Sequence, residues 1–117
     1  LGKGLMYEEY LRIIQSQVHG GIRIEHPATP IKTSIYILAS EIQGSVVIKQ
    51  ATFMKDLTVM DNVFNGSFDL SATVEGKTDL SRNIFKRHVV IEGRFKKPVI
   101  LSSSSFEGPT ALAGNRY

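Results

Sequence analysis

Six segments of seven or eight residues, each beginning ten or eleven residues after the last, fill the chain from residue 46 to residue 106. They open at Val46, Leu57, Phe68, Thr78, Val89 and Val99. A fixed internal period restricts a chain to architectures in which one unit is laid against the next. Taken in pairs, the segments repeat every 21 residues. Phe53, Val74 and Phe95 form one such set, Phe64, Phe85 and Phe106 a second, and Val59, Leu80 and Leu101 a third. Stacked at about 4.8 Å, the spacing of hydrogen-bonded strands, these sets bury like side chains on like.

Two folds compete for the period. In an antiparallel meander, closing as a sandwich or barrel, each segment is one strand with alternating apolar residues, as Phe68, Leu70, Ala72 and Val74 are. Most segments break that alternation. Ile37 and Ile42, Ile48 and Phe53, Val59 and Phe64, Leu80 and Phe85, and Leu101 and Phe106 are each five apart. In a continuous strand that spacing turns the two side chains to opposite faces unless a bulge intervenes. One corner at the same place in every segment accounts for them all. The expected fold is therefore mainly β, a parallel β-solenoid of about three to four coils, with the meander as the alternative.

Residues 1–20 have a different period. Met6, Tyr7, Tyr10, Leu11, Ile14 and Val18 fall at three- and four-residue intervals, as on one helix face. Glu8 and Glu9 lie where a helix N-terminus favours negative charge, and Gly20-Gly21 supplies a stop. The spacing predicts an amphipathic helix over roughly 5–19 that caps one solenoid edge with Tyr7, Leu11, Ile14 and Val18. A single domain follows, with the capping helix at 1–20, a β-repeat region at 21–108 and a loop-like tail at 109–117. The first residue is Leu1 rather than Met. The chain is accordingly expected to be processed or to be part of a longer parent.

Four stretches resemble the units of pentapeptide-repeat proteins: Ala51-Thr52-Phe53-Met54-Lys55, Asn62-Val63-Phe64-Asn65-Gly66, Asn83-Ile84-Phe85-Lys86-Arg87 and Ser104-Ser105-Phe106-Glu107-Gly108. Each carries a small or polar residue two places before a central aromatic. The resemblance covers roughly residues 35–108 and implies a right-handed β-helix of quadrilateral section. Some members of that family bind topoisomerases through acidic surfaces, a role for which this chain lacks the negative charge.

Composition narrows the chemistry. There is no cysteine, which removes disulfides and thiolate metal sites. No apolar run approaches the roughly 18–20 residues of a membrane helix. His19, His26 and His88 are too dispersed for metal-ligand spacing, and neither a nucleophile elbow nor a phosphate-cradling glycine loop is present. Asp56, Asp61, Asp69 and Asp79 are spread through the repeats and are expected to face solvent or bond corner amides. Ser102 to Ser105 fit one segment in register. Asn65-Gly66-Ser67 has the form of a glycosylation sequon but reads as a turn. No catalytic residue, metal or cofactor is assigned.

The net charge of +3 conceals a local excess. Residues 82–97 hold Arg82, Lys86, Arg87, Arg94, Lys96 and Lys97 against Glu92 alone. Lys86, Arg87, Arg94, Lys96 and Lys97 are the candidate contacts for a polyanion, nucleic acid or an anionic surface. If 21 residues make one coil, Lys86-Arg87 and Lys96-Lys97 fall on opposite walls and the patch is divided, so nucleic acid is not favoured. The function expected first is a structural or protein-interaction module, acting through its walls and ends and associating near Val99–Phe106. Polyanion binding through residues 82–97 is the alternative.

Overall fold

A period of 21 residues specifies register, and register decides which side chains share a column. A computed structural model describes residues 12–25, 27, 29–112 and 115–116 of the chain. The first coil comprises β1 (Arg12–Ile14), β2 (Gln17–Val18) and β3 (Ile22–Glu25). The second comprises β4 (Ile35–Leu38), β5 (Glu41–Ile42) and β6 (Val46–Phe53). In the third are β7 (Leu57–Met60), β8 (Val63–Phe64) and β9 (Phe68–Val74). The fourth holds β10 (Thr78–Asp79), β11 (Ile84–Phe85) and β12 (Val89–Phe95). The fifth is formed by β13 (Val99–Ile100), β14 (Ser105–Phe106) and β15 (Thr110–Leu112), and β16 (Asn115–Arg116) also pairs with β12.

Every strand pair is parallel and joins one coil to the next. Three walls result. Wall A runs β1-β4-β7-β10-β13, wall B runs β2-β5-β8-β11-β14, and wall C runs β3-β6-β9-β12-β15. The meander is thereby excluded and the solenoid holds, with five coils rather than three or four. Five coils at about 4.8 Å per step span about 19 Å, and the shortest dimension of the molecule is 20 Å.

The segments of the sequence map unequally onto the three walls. One segment of each coil bends over walls A and B, while the other is the single straight strand of wall C. Four of the five-residue apolar pairs bridge the A–B corner: Ile37 and Ile42, Val59 and Phe64, Leu80 and Phe85, Leu101 and Phe106. The fifth pair, Ile48 and Phe53, lies within β6, where a bulge at Gln50 restores the inward direction. Three walls also replace the four faces of the quadrilateral section. Of the pentapeptide-like stretches, three cross from the A–B corner into wall B, while Ala51-Thr52-Phe53 ends wall C.

The A–B corner is built the same way in each coil. Gln15, Ala39, Asp61, Arg82 and Ser103 all adopt positive φ, between 50° and 62°. None is glycine, so each costs roughly 1–2 kcal/mol against the right-handed conformation. A polar ladder offsets that cost. The next residue in each coil is Ser16, Ser40, Asn62, Asn83 or Ser104, and in the first four coils its backbone N–H finds a side-chain oxygen one coil on. Ser40 N–H donates to Asn62 Oδ1 at 2.9 Å, Asn62 N–H to Asn83 Oδ1 at 3.0 Å, and Asn83 N–H to Ser104 Oγ at 3.2 Å. The amide groups donate in turn to carbonyls at the bend: Asn62 Nδ2 to Ile37 O and Asn83 Nδ2 to Val59 O and Leu80 O, each at 2.8 Å. Asn62 and Asn83 are buried, and buried polar groups must be partnered.

Inward columns fill the space between the walls. Val18, Ile42, Phe64, Phe85 and Phe106 stand in register along wall B, and Ile22, Val46, Phe68 and Val89 along wall C. Phe64 and Phe85 stack with centroids 5.1 Å apart and planes 6° apart; Phe85 and Phe106 stack at 5.1 Å and 12°. Phe68 meets Phe64 and Phe85 at steep angles. The expected ladders of Phe53, Val74 and Phe95 and of Phe64, Phe85 and Phe106 are thus both present.

The ends of the chain depart from expectation. No helix occurs among the described residues. Where the helix was expected to continue, Arg12–Ile14 and Gln17–Val18 are strands, and the part of it before residue 12 lies outside the described residues. Ile13 and Val18 point inward in register with Ile37 and Ile42, repeating the five-residue spacing, whereas Ile14 is exposed. The β-repeat begins in the first coil, 24 residues before the second, and residues 109–117 supply β15 and β16 where a loop was expected.

Candidate functional site

Charges on a solenoid are sorted by where the corners place them. Lys86 and Arg87 occupy the B–C corner of the fourth coil; Lys96 and Lys97 follow β12 at its C–A corner; Arg94 lies on the outer face of wall C. The five candidate cations therefore belong to one coil, with Lys86 and Arg87 at one end of wall C and Arg94, Lys96 and Lys97 towards the other, rather than on opposite walls. Exposed Glu92 lies between the two groups. Lys96 pairs with Glu75 at 3.1 Å, one coil away. No carboxylate lies within ion-pair distance of Lys86 or Arg87 among the described residues.

The four aspartates of the repeats are engaged locally. Asp56 Oδ1 accepts from the corner amide of Lys77 at 2.8 Å. Asp69 meets Lys49 at 3.7 Å. Asp79 accepts from the Ser81 amide and hydroxyl. Asp61 takes two hydrogen bonds from Arg82, at 2.8 and 3.1 Å. That hydrogen bonding holds the Asp61 carboxyl below its ordinary range, outweighing an opposing desolvation, and raises the Arg82 guanidinium above its own. The pair links the left-handed corner residues of the third and fourth coils.

At the B–C corner the middle position is Gly20, Gly44, Gly66 and Gly108 in four coils and Arg87 in the fourth. A Cβ on Gly44, Gly66 or Gly108 would come within 2.6–2.7 Å of backbone in the preceding coil. Close stacking thus explains the glycines, and Arg87 is the exception. A shallow groove beside it is lined by Gln43, Asn65, Lys86, Arg87, His88 and Glu107. His88 Nδ1 lies 3.1 Å from Ser67 Oγ. Asn65 donates to Glu41 Oε2 at 2.9 Å, and Asn65-Gly66 forms the bend between walls B and C. His19 is exposed at the corresponding corner of the first coil, and His26 lies outside the described residues.

The two ends of the solenoid differ. Inward residues of the first coil, Ile13, Val18, Ile22 and Ile24, are 0–6% exposed. Those of the last coil are not closed over: Val99, Leu101 and Phe106 are only partly buried against the core, and Leu112 is 55% exposed. Sequence reasoning picked out Val99–Phe106 but missed Leu112, because Thr110-Ala111-Leu112 lacks the aromatic that marks other segments. It also missed His88 beside Arg87, although the glycine column marks that corner. Among the described residues no helix is long and apolar enough to cross a membrane. Comparison with models of known protein families, with curated proteins and with solved structures gave no match.

Proposed function

We propose that the protein is a non-enzymatic structural module that associates through the end of its fifth coil, with a second copy of itself as the partner. The observation that carries this is the half-covered apolar face of Val99, Leu101, Phe106 and Leu112. Around it run β13, β14 and β15, edge strands whose outward backbone groups are able to pair with another chain. Among the described residues the inward side chains of the first coil are 0–6% exposed, so the pairing is end to like end. Such a contact is isologous and closes at two copies instead of growing into a filament.

Within this proposal the repeats are pentapeptide-like in a broad sense. A small or polar residue, a variable one and an inward aromatic recur at Asn62-Val63-Phe64, Asn83-Ile84-Phe85 and Ser104-Ser105-Phe106. The polar residue serves the corner and the aromatic serves the core.

Sedimentation velocity across a concentration series up to about 1 mM, a range that detects weak specific pairing, tests the proposal. A monomer–dimer transition is expected, and the variant carrying Phe106→Lys and Leu112→Lys should stay monomeric with its strand content intact. A wild-type protein that remains monomeric throughout rules out self-association through this end.

A further inference from the structure

Local rules are broken where something other than folding is served. The B–C corner of the fourth coil breaks the glycine rule of its column with the largest cationic side chain available, and sets Lys86 and His88 on either side of it. All three are exposed. Arg23, Lys49, Arg82 and Lys96 each contact a carboxylate, whereas Arg12, Lys32, Lys55, Lys77, Arg94 and Lys97 form no ion pair among the described residues. Lys86 and Arg87 have none among the described residues, and the groove of Gln43 and Asn65 runs beside them.

We propose that Lys86, Arg87 and His88 bind a compact oxyanion, a single phosphate or sulfate group, in this groove. The guanidinium of Arg87 offers parallel N–H donors matched to two oxygens of such a group, and Lys86 adds a point charge. In the tautomer in which the Ser67 hydroxyl donates to His88 Nδ1, the ring proton lies on Nε2 and serves as a third donor. Glu107, in register with Lys86, lines the same groove and opposes the anion. The charge distribution disfavours an extended polyanion. Continuing from Arg87 to Lys97 along wall C, it would pass exposed Glu92 and reach Lys96 already held by Glu75.

The site is tested by following backbone amide resonances of the full chain during titration with inorganic phosphate, with ionic strength held constant by chloride. Saturable shifts are expected at Gly66, Lys86 to His88 and Gly108, with little elsewhere. Arg87→Gly restores the residue that the column favours, so the variant should fold at least as well while weakening binding about tenfold or more. Glu107→Gln should strengthen binding several-fold by removing the opposing charge. A response no different from that to chloride, or unchanged binding by Arg87→Gly, overturns the proposal. A short single-stranded oligonucleotide provides the second arm. Shifts confined to the same corner support a compact site; shifts extending to Arg94, Lys96 and Lys97 overturn it in favour of a polyanion surface.

Discussion

Single residues in a solenoid are constrained by the column they occupy. Thr78 stands in register with Leu57 and Val99 on the inner side of wall A, is fully buried, and has no hydrogen-bond partner for its hydroxyl. A buried, unpartnered polar group costs about 1–3 kcal/mol. Thr78→Val, which keeps the shape and removes that group, should raise stability by about 1 kcal/mol, read as a higher denaturant midpoint at unchanged slope. Asp61 and Arg82 represent the opposite case, a charge pair at an exposed corner. Because the Asp61 carboxyl titrates below its unfolded value, near about 3.9, its contribution is present above that value. It is lost as pH falls through the lowered one. The stability difference between wild type and Arg82→Ala should therefore be small at neutral pH, shrink with added salt, and vanish in acid. A difference that persists at low pH would assign the role of Arg82 to packing.

At the scale of elements, the A–B corner is the unit that recurs, and its polar ladder is the feature to break. Asn83 donates to two carbonyls and accepts from the Asn62 backbone, all within the core. Asn83→Ala should cost about 3 kcal/mol, since it orphans several buried groups at once. Combining it with Asn62→Ala should cost less than the two separately, because both serve one network. Chemical denaturation of the three variants measures the coupling. Gly93 makes the same point on wall C. Its φ is +130°, and a Cβ there would run into the Ala72 carbonyl. Gly93→Ala is expected to unfold the β9–β12 pairing rather than adjust it. The repeats at 57–106 were legible because phenylalanines at 21-residue intervals can share a column only in parallel register. The first coil was not, because Leu11, Ile14 and Val18 imitate a helical stripe, and its 24-residue step hides the match between Ile13 and Ile37. The ladder was visible only as polar residues preceding aromatics. Nothing in composition announces that a backbone bend frees the carbonyls those amides collect.

For the molecule as a whole, nearly all contacts join a coil to its neighbours, so stability is distributed along a line. Amide exchange should be slowest in β6, β9 and β12, the long central strands of wall C, and fastest in β13, β14 and β15, which have a coil on one side only. Uniform protection would mean that the fifth coil is covered in solution, as pairing with a second copy would produce. Measuring exchange at low and high protein concentration separates the two situations. The candidate surfaces were partly legible at this scale. Val99–Phe106 emerged as a terminal segment, but the division of the basic residues between two corners of one wall required knowing that the coil has three sides.

Gln50 shows where this architecture tolerates a counting error. The second coil is one residue longer than those after it, and β6 sheds the surplus by letting Gln50 step out of the pairing between Lys49 and Ala51. Beyond that point the phase of every later column is restored. A long wall thus acts as an expansion joint, and a tight corner does not. One glycine inserted between Ser71 and Ala72 should be absorbed, whereas the same insertion between Arg82 and Asn83 should throw the phenylalanine stack out of step.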